Sequence, residues 1–167
     1  MAGIKKSVKV NLTGLNKVLE GIPDKVIGDV GVFGDSTTRD PDTGEKSPLT
    51  NAEIGVIQEF GSPTNGIPSR SFLRMPLETK SKEIKKKVLS NRAKIKAEIA
   101  DGNAETILEK ILLLAAEAVD EAFQTGGFGK WPANAQSTID RKGSSRPLID
   151  TQQLRRSIAT RVKKKRG

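Results

Sequence analysis

The sequence predicts an α+β fold: a small antiparallel sheet packed on two long helices, with an extended loop and extended termini. Three patterns predict it. Val8, Val10 and Leu12 alternate with Lys9 and Asn11, and Val26, Ile27, Val30, Val32 and Phe33 form a β-branched run; such patterns suit half-buried strands. Apolar side chains then recur at helical spacing along two long charged segments, over residues 77–99 and 107–123. A last strand is expected at residues 159–162.

The first strand ends at Gly14. Leu15, Val18, Leu19 and Ile22 follow at helical spacing, and Pro23 closes that short amphipathic helix because it has no N–H to donate to a carbonyl of the preceding turn. In the second strand the β-branched residues are interrupted by Gly28, Gly31 and Gly34. Residues 35–48 have no apolar side chain besides Pro41 and Pro48, so a mobile loop is expected there. Asp40, Asp42, Gly44 and Glu45 imitate a calcium loop, but the glycine stands fifth where that motif needs it sixth, and a third Asp/Asn is missing.

Thr50 or Asn51 is set to cap a helix through Ala52, Ile54, Val56, Ile57 and Phe60, stopped by Gly61. A connector of turn residues, 62–66, leads to a stiff segment bounded by Pro68 and Pro76. A helix starting near Pro76 carries Leu77, Ile84, Val88, Ile95 and Ile99 as a narrow stripe, with Lys80, Lys82, Lys85, Lys86, Lys87, Arg92, Lys94 and Lys96 around it. Residues 101–103 end it, and Asn103 is placed to cap the next helix. That helix, reaching about Gln124, has the wider stripe: Ile107, Leu108, Ile111, Leu112, Ala115, Ala118, Val119, Ala122 and Phe123. It is the expected core helix, its alanines allowing close approach.

Residues 125–131 imitate a phosphate-binding loop, but a helix precedes them and Trp131 stands where Ser or Thr is needed. A short helix over residues 137–142 stops at Gly143. Asp150 is placed to cap a helix over residues 151–158, with Leu154 and Ile158 four apart on its inner face. Residues 163–167 read as a mobile basic tail.

Composition narrows the chemistry. The 167 residues fit a single domain, which buries roughly 70% of the surface its unfolded chain exposes. With 35% apolar residues, one Trp, five Phe and no Tyr, the core is aliphatic. Cys and His are absent, which removes disulfides, thiolate nucleophiles, the commonest metal ligand and the side chain that titrates near neutral pH. No pair of carboxylates or lysines stands in a recognisable catalytic frame, so no enzyme is expected and no catalytic, cofactor-binding or metal residue is assigned. The basic opening residues lack the apolar stretch of a signal peptide, and residues 111–119 are interrupted by Glu117, so neither secretion nor a membrane span is expected. Residues 1–60 hold seven Lys/Arg and nine Asp/Glu, for −2, whereas residues 61–167 hold 22 and 11, for +11. This asymmetry fits a nucleic-acid face, an acidic protein neighbour, or self-association of acidic with basic parts.

Two blocks of residues point further. One is Asn51-Ala52-Glu53-Ile54 through Gln58-Glu59-Phe60-Gly61, followed by Ile67-Pro68-Ser69-Arg70-Ser71-Phe72-Leu73-Arg74. The other is Trp131-Pro132, Ser137-Thr138-Ile139 to Lys142-Gly143, Pro147-Leu148-Ile149-Asp150-Thr151 and Leu154-Arg155-Arg156-Ser157-Ile158. In order and spacing, over about residues 50–160, they resemble the bacteriophage virion-morphogenesis and minor-tail family, which includes tail-completion and head-tail joining proteins. The resemblance implies an α+β subunit of a homo-oligomeric ring, expected to be a hexamer, around the channel through which the genome passes. It implies other phage tail and neck proteins as partners, a place in the tail or neck of a virion assembled in the host cytoplasm, and neither catalysis nor cofactor. One position departs from the pattern: Gln152 stands where the family usually has glycine. Gln would strain a turn with positive φ, so residues 151 onward read instead as helix entry.

Arg70, Phe72, Leu73, Arg74, Trp131 and Leu154 are the candidate subunit-interface residues. Phe72 and Leu73 fit two uses, as anchors docking into a neighbour or as core side chains, and so does Trp131. Lys85, Lys86, Lys87, Lys163, Lys164 and Lys165 are candidate phosphate contacts, against the plainer reading of a solvated basic face. They motivate the alternative function, a non-specific nucleic-acid-binding protein, and leave contact with genome DNA open. Sequence-specific readout is not expected, since no helix-turn-helix or zinc motif and few aromatic residues are present.

Overall fold

The computed structural model describes residues 19, 22–23, 26–33, 49–148 and 152–164. The expected strand at Val8–Leu12, most of the helix before Pro23, the loop 35–48 with its calcium-like fragment, and Asp150, Thr151 and Lys165 lie outside the described residues.

The fold is α+β. In chain order come β1 (Val26–Val32), α1 (Asn51–Phe60), a 3-10 turn (Pro63–Asn65), α2 (Arg74–Ser90), α3 (Arg92–Ala100), α4 (Ala104–Thr125), α5 (Gln136–Lys142), α6 (Gln153–Arg156) and β2 (Ile158–Lys164). β1 and β2 pair antiparallel, from Val26 opposite Lys164 to Val32 opposite Ile158. This ribbon lies on α4, and α2 and α3 pack against α4 as well. Gly28 makes the approach of sheet to helix possible. A Cβ there would stand 3.0 Å from Leu112 Cδ1 and 3.1 Å from Leu108 Cγ, so the two leucine side chains would have to give way for it.

The wide stripe on α4 is its buried face: Ile107, Ile111, Leu112, Ala118, Val119, Ala122 and Phe123 are all buried. Toward its start it meets Ile84 and Val88 of α2 and Ile95 and Ile99 of α3. Toward its end it meets Phe72, Leu77, Trp131 and Leu154. The core is thus one helix face read twice, aliphatic at one end and aromatic at the other.

Four boundaries differ from the sequence reading. The basic helix breaks at Asn91, where Ser90 Oγ donates to the Lys87 carbonyl at 2.9 Å and Asn91 Nδ2 donates to the same oxygen at 3.1 Å. Such local bonds compete with the helical ladder, yet the seven-residue step from Val88 to Ile95 keeps both pieces on α4. Asn103 occupies the cap position of α4 without a side-chain cap bond. The helix expected over residues 151–158 shrinks to α6, preceded by Gln152 at φ 61°; the positive-φ turn is present although Gln, not glycine, makes it. Lys163 and Lys164 belong to β2, not to a loose tail. No helix of the described residues is long and apolar enough to cross a membrane.

Candidate functional site

The two sequence blocks meet at the end of α1. Thr50 caps that helix: its Oγ1 accepts from the Glu53 amide at 3.2 Å, and the Glu53 carboxylate accepts from the Thr50 amide at 2.8 Å. The bond from the Thr50 amide, and after it the one that Thr50 Oγ1 donates to Glu53 Oε2 at 2.9 Å, hold the exposed Glu53 carboxyl below its ordinary pKa. At the other end Gly61 turns the chain at φ 76°, and a Cβ there would lie 2.9 Å from the Ser69 nitrogen. The returning chain is therefore close enough for the Arg70 amide to reach the Gln58 carbonyl at 2.7 Å and for Ser69 Oγ to reach the Glu59 carbonyl at 2.8 Å.

That return brings Glu59, 3% exposed, onto the start of α2. Its Oε2 accepts from the amides of Phe72 (2.8 Å) and Leu73 (2.9 Å), and its Oε1 accepts from the Arg74 amide (3.1 Å) and Ser71 Oγ (2.6 Å). Ser71 Oγ in turn accepts from the Met75 amide at 3.0 Å. Leu73, at the cap position of α2, has no oxygen to offer, so the orphan amides of the first turn take their acceptor from another helix. A negative charge is favoured there by the helix dipole. Sequence reasoning missed Glu59, and the available signal was that uncapped start.

Arg70, 7% exposed, crosses to the second block. Its Nε donates to the Pro132 carbonyl and its Nη2 to the Ala133 carbonyl, both at 2.8 Å. Burial lowers its guanidinium pKa from the ordinary value, and the two carbonyls supply the hydrogen bonds that a buried cation requires. Trp131 Nε1 donates to the Ser71 carbonyl at 3.1 Å. The rings of Phe72 and Phe123, and of Phe123 and Trp131, have centroids 5.5 Å apart, the second pair edge to face. Leu154 and Phe72 both close over Gly55, where a Cβ would lie 3.6 and 3.4 Å from them.

These contacts correct the interface reading. Phe72, Trp131, Leu154 and Arg70 are buried inside the subunit, so the segment between Pro68 and Pro76 does not project: Glu59 and Arg70 tie it down. Leu73 is partly buried against the same cluster. Arg74 alone of the six is exposed, beside Glu78 at 3.4 Å.

The candidate phosphate contacts divide as well. Lys163 pairs with Asp29 and Lys164 with Glu105, each at 2.7 Å, and Lys87 stands 3.4 Å from Glu83. Lys85 and Lys86, with Lys82 one turn earlier, have no carboxylate within ion-pair distance among the described residues. A concavity of about 460 Å³ runs between β1, α1 and α4. Its walls are largely apolar, and Glu59, which contributes to the lining, already accepts four bonds on its carboxylate. The exposed basic side of α2 is therefore the part of the candidate set that a partner can reach. Comparison of the chain with protein-family models, with curated proteins and with solved structures finds no match.

Proposed function

We propose that the chain is a structural subunit of a phage tail-completion or neck ring that helps join tail to head during virion assembly, with a binding role and no catalytic step. The observation that supports this reading is the convergence of the two blocks that carry the resemblance. Arg70 of the first holds Pro132 and Ala133 of the second, and Trp131 of the second holds Ser71 of the first. Residues 62 positions apart are thus one structural unit, as expected of a motif that defines a fold. A gold-labelled antibody against this chain, applied to purified virions, should decorate the head-proximal end of the tail. Label spread along the tail or absent from particles would overturn the proposal.

A second reading, non-specific nucleic-acid binding, is favoured by Lys82, Lys85 and Lys86, which carry charge on α2 without internal ionic partners among the described residues. Its affinity for random duplex DNA should fall steeply with salt, with a slope of about −0.9 for each phosphate neutralised. A preference of roughly a thousandfold for one DNA site would contradict both readings.

A further inference from the structure

On α2, Lys82, Lys86 and Leu89 follow at steps of four and three, so they share the side turned away from Ile84 and Val88. Leu89 is 42% exposed. Every carboxylate on this helix is engaged by a cation, Glu78 by Arg74 and Glu83 by Lys80 and Lys87, whereas Lys82, Lys85 and Lys86 have no ionic partner among the described residues. On α4, Glu109, Leu113 and Glu117 follow at steps of four on the side turned away from Ile111 and Val119. Leu113 is 58% exposed, the most exposed large apolar side chain among the described residues. It lies with Ala116 and Glu117 in a shallow depression that continues to Asp120 and Gln124. Asp120 and Glu121 there are engaged by Arg155 and Lys80, but Glu109 and Glu117 have no cation beside them among the described residues.

The chain therefore presents a base-base-leucine stripe on one helix and an acid-leucine-acid stripe on another. α2 packs on α4 through their buried sides, so the two stripes face different directions and cannot meet within one molecule. We propose that they meet between copies: the Lys82, Lys86 and Leu89 side of α2 docks on the Glu109, Leu113 and Glu117 side of α4 of a second copy of this chain. A polyanion would answer only the first stripe and would be repelled by the second, while a second copy answers both with charge complementarity and an apolar centre. Because different patches meet, the contact is heterologous; it propagates, and it closes into a ring or continues as a filament according to the rotation at each step. The inference deepens the ring reading and rests on it for closure alone.

The test is charge reversal followed by sedimentation velocity of the full chain. The first variant carries Lys82→Glu with Lys86→Glu, and the second carries Glu109→Lys with Glu117→Lys. All four positions are exposed, and unchanged thermal melting verifies that the variants fold. The unaltered chain should self-associate at low salt and dissociate as salt rises through about 0.5 M. Each variant alone should associate at least about tenfold more weakly. Mixing the two variants, or combining all four substitutions in one chain, should restore association, because each reversed stripe then meets its complement. An unaltered chain that stays monomeric up to about 1 mM overturns the proposal. So does a first variant that loses random-DNA binding while association is unchanged, which would assign the lysines to nucleic acid. If the unaltered chain associates and both reversals leave association intact, this contact is wrong while the ring reading survives. If reversal and rescue behave as expected but virions carry no label at the neck, the contact holds and the ring reading fails.

Discussion

Phe72 is 1% exposed and meets the Phe123 ring, so its removal is expected to act on folding. Phe72→Ala should cost about 3–5 kcal/mol, the usual loss for a buried phenyl ring that leaves a cavity, and should lower the melting temperature by roughly 10 °C in a domain of this size. Unchanged melting would mean that the ring is not core. The sequence left Phe72 open between core and interface because its two flanking prolines report stiffness and say nothing about direction. The direction is set by Glu59, thirteen residues away, a relation that no local pattern encodes. Gln152 is the converse case. Glycine is usual at that place in the family resembled, and the backbone there does adopt φ 61°, a region that costs a residue with a Cβ roughly 1–2 kcal/mol. Gln152→Gly should therefore raise stability by about 1 kcal/mol, less the entropy a glycine adds to the unfolded chain, as a higher midpoint in urea with unchanged slope. A lower midpoint would show that the Gln side chain contributes more than its backbone costs.

Among the elements, α4 was the most legible, because a stripe of nine apolar positions over residues 107–123 admits one buried face whatever packs on it. The basic helix was legible in its stripe but not in its continuity: the break depends on how Ser90 and Asn91 use their side chains, and both residue types are also found inside unbroken helices. β2 extended past its expected end into Lys163 and Lys164, since pairing with β1 overrides the low strand propensity of lysine. The start of α2 rests on one carboxylate from α1. Glu59→Ala should leave the amides of Phe72, Leu73 and Arg74 and the Ser71 hydroxyl without their acceptor, at a cost of about 3 kcal/mol or more. Glu59→Gln keeps one acceptor oxygen and should cost less. Hydrogen exchange distinguishes a cap from a general packing loss: amides of the first turn of α2 should lose protection before those in the middle of α4. Equal loss across both helices would remove the capping role.

At the scale of the molecule, ion pairs among the described residues hold the segment after α5 to the rest: Arg155 with Asp120, Lys163 with Asp29 and Lys164 with Glu105. The first is bidentate, at 2.7 and 2.9 Å. Hydrogen bonding from Arg155, aided by Gln124, holds the Asp120 carboxyl below its ordinary pKa, and the same bond raises that of Arg155. Glu105 likewise raises Lys164. A depressed carboxyl contributes stability that is fully present above its unfolded pKa, near 3.8, and is lost as pH falls through the lower folded value. The raised cations contribute below their unfolded pKa values and lose that contribution only on the alkaline side. At neutral pH all these contributions are present, and the pairs loosen at opposite extremes. Acid adds a second effect, because protonating the 20 carboxylates carries the net charge from +9 toward +29 and the folded chain repels itself. Asp120→Asn separates the two effects, since it removes one titrating group and leaves the self-repulsion almost unaltered. With the Asp120 side chain 44% exposed, solvent screening limits the pair to about 1 kcal/mol or less, a difference of roughly 2–4 °C in melting temperature at pH 7. That difference should shrink as pH falls below about 4 and vanish once Asp120 of the unaltered chain is protonated in both the folded and the unfolded state. A gap that stays constant into strong acid would mean that the Asp120→Asn variant is weakened through packing and that the Arg155 pair contributes nothing to the acid limb.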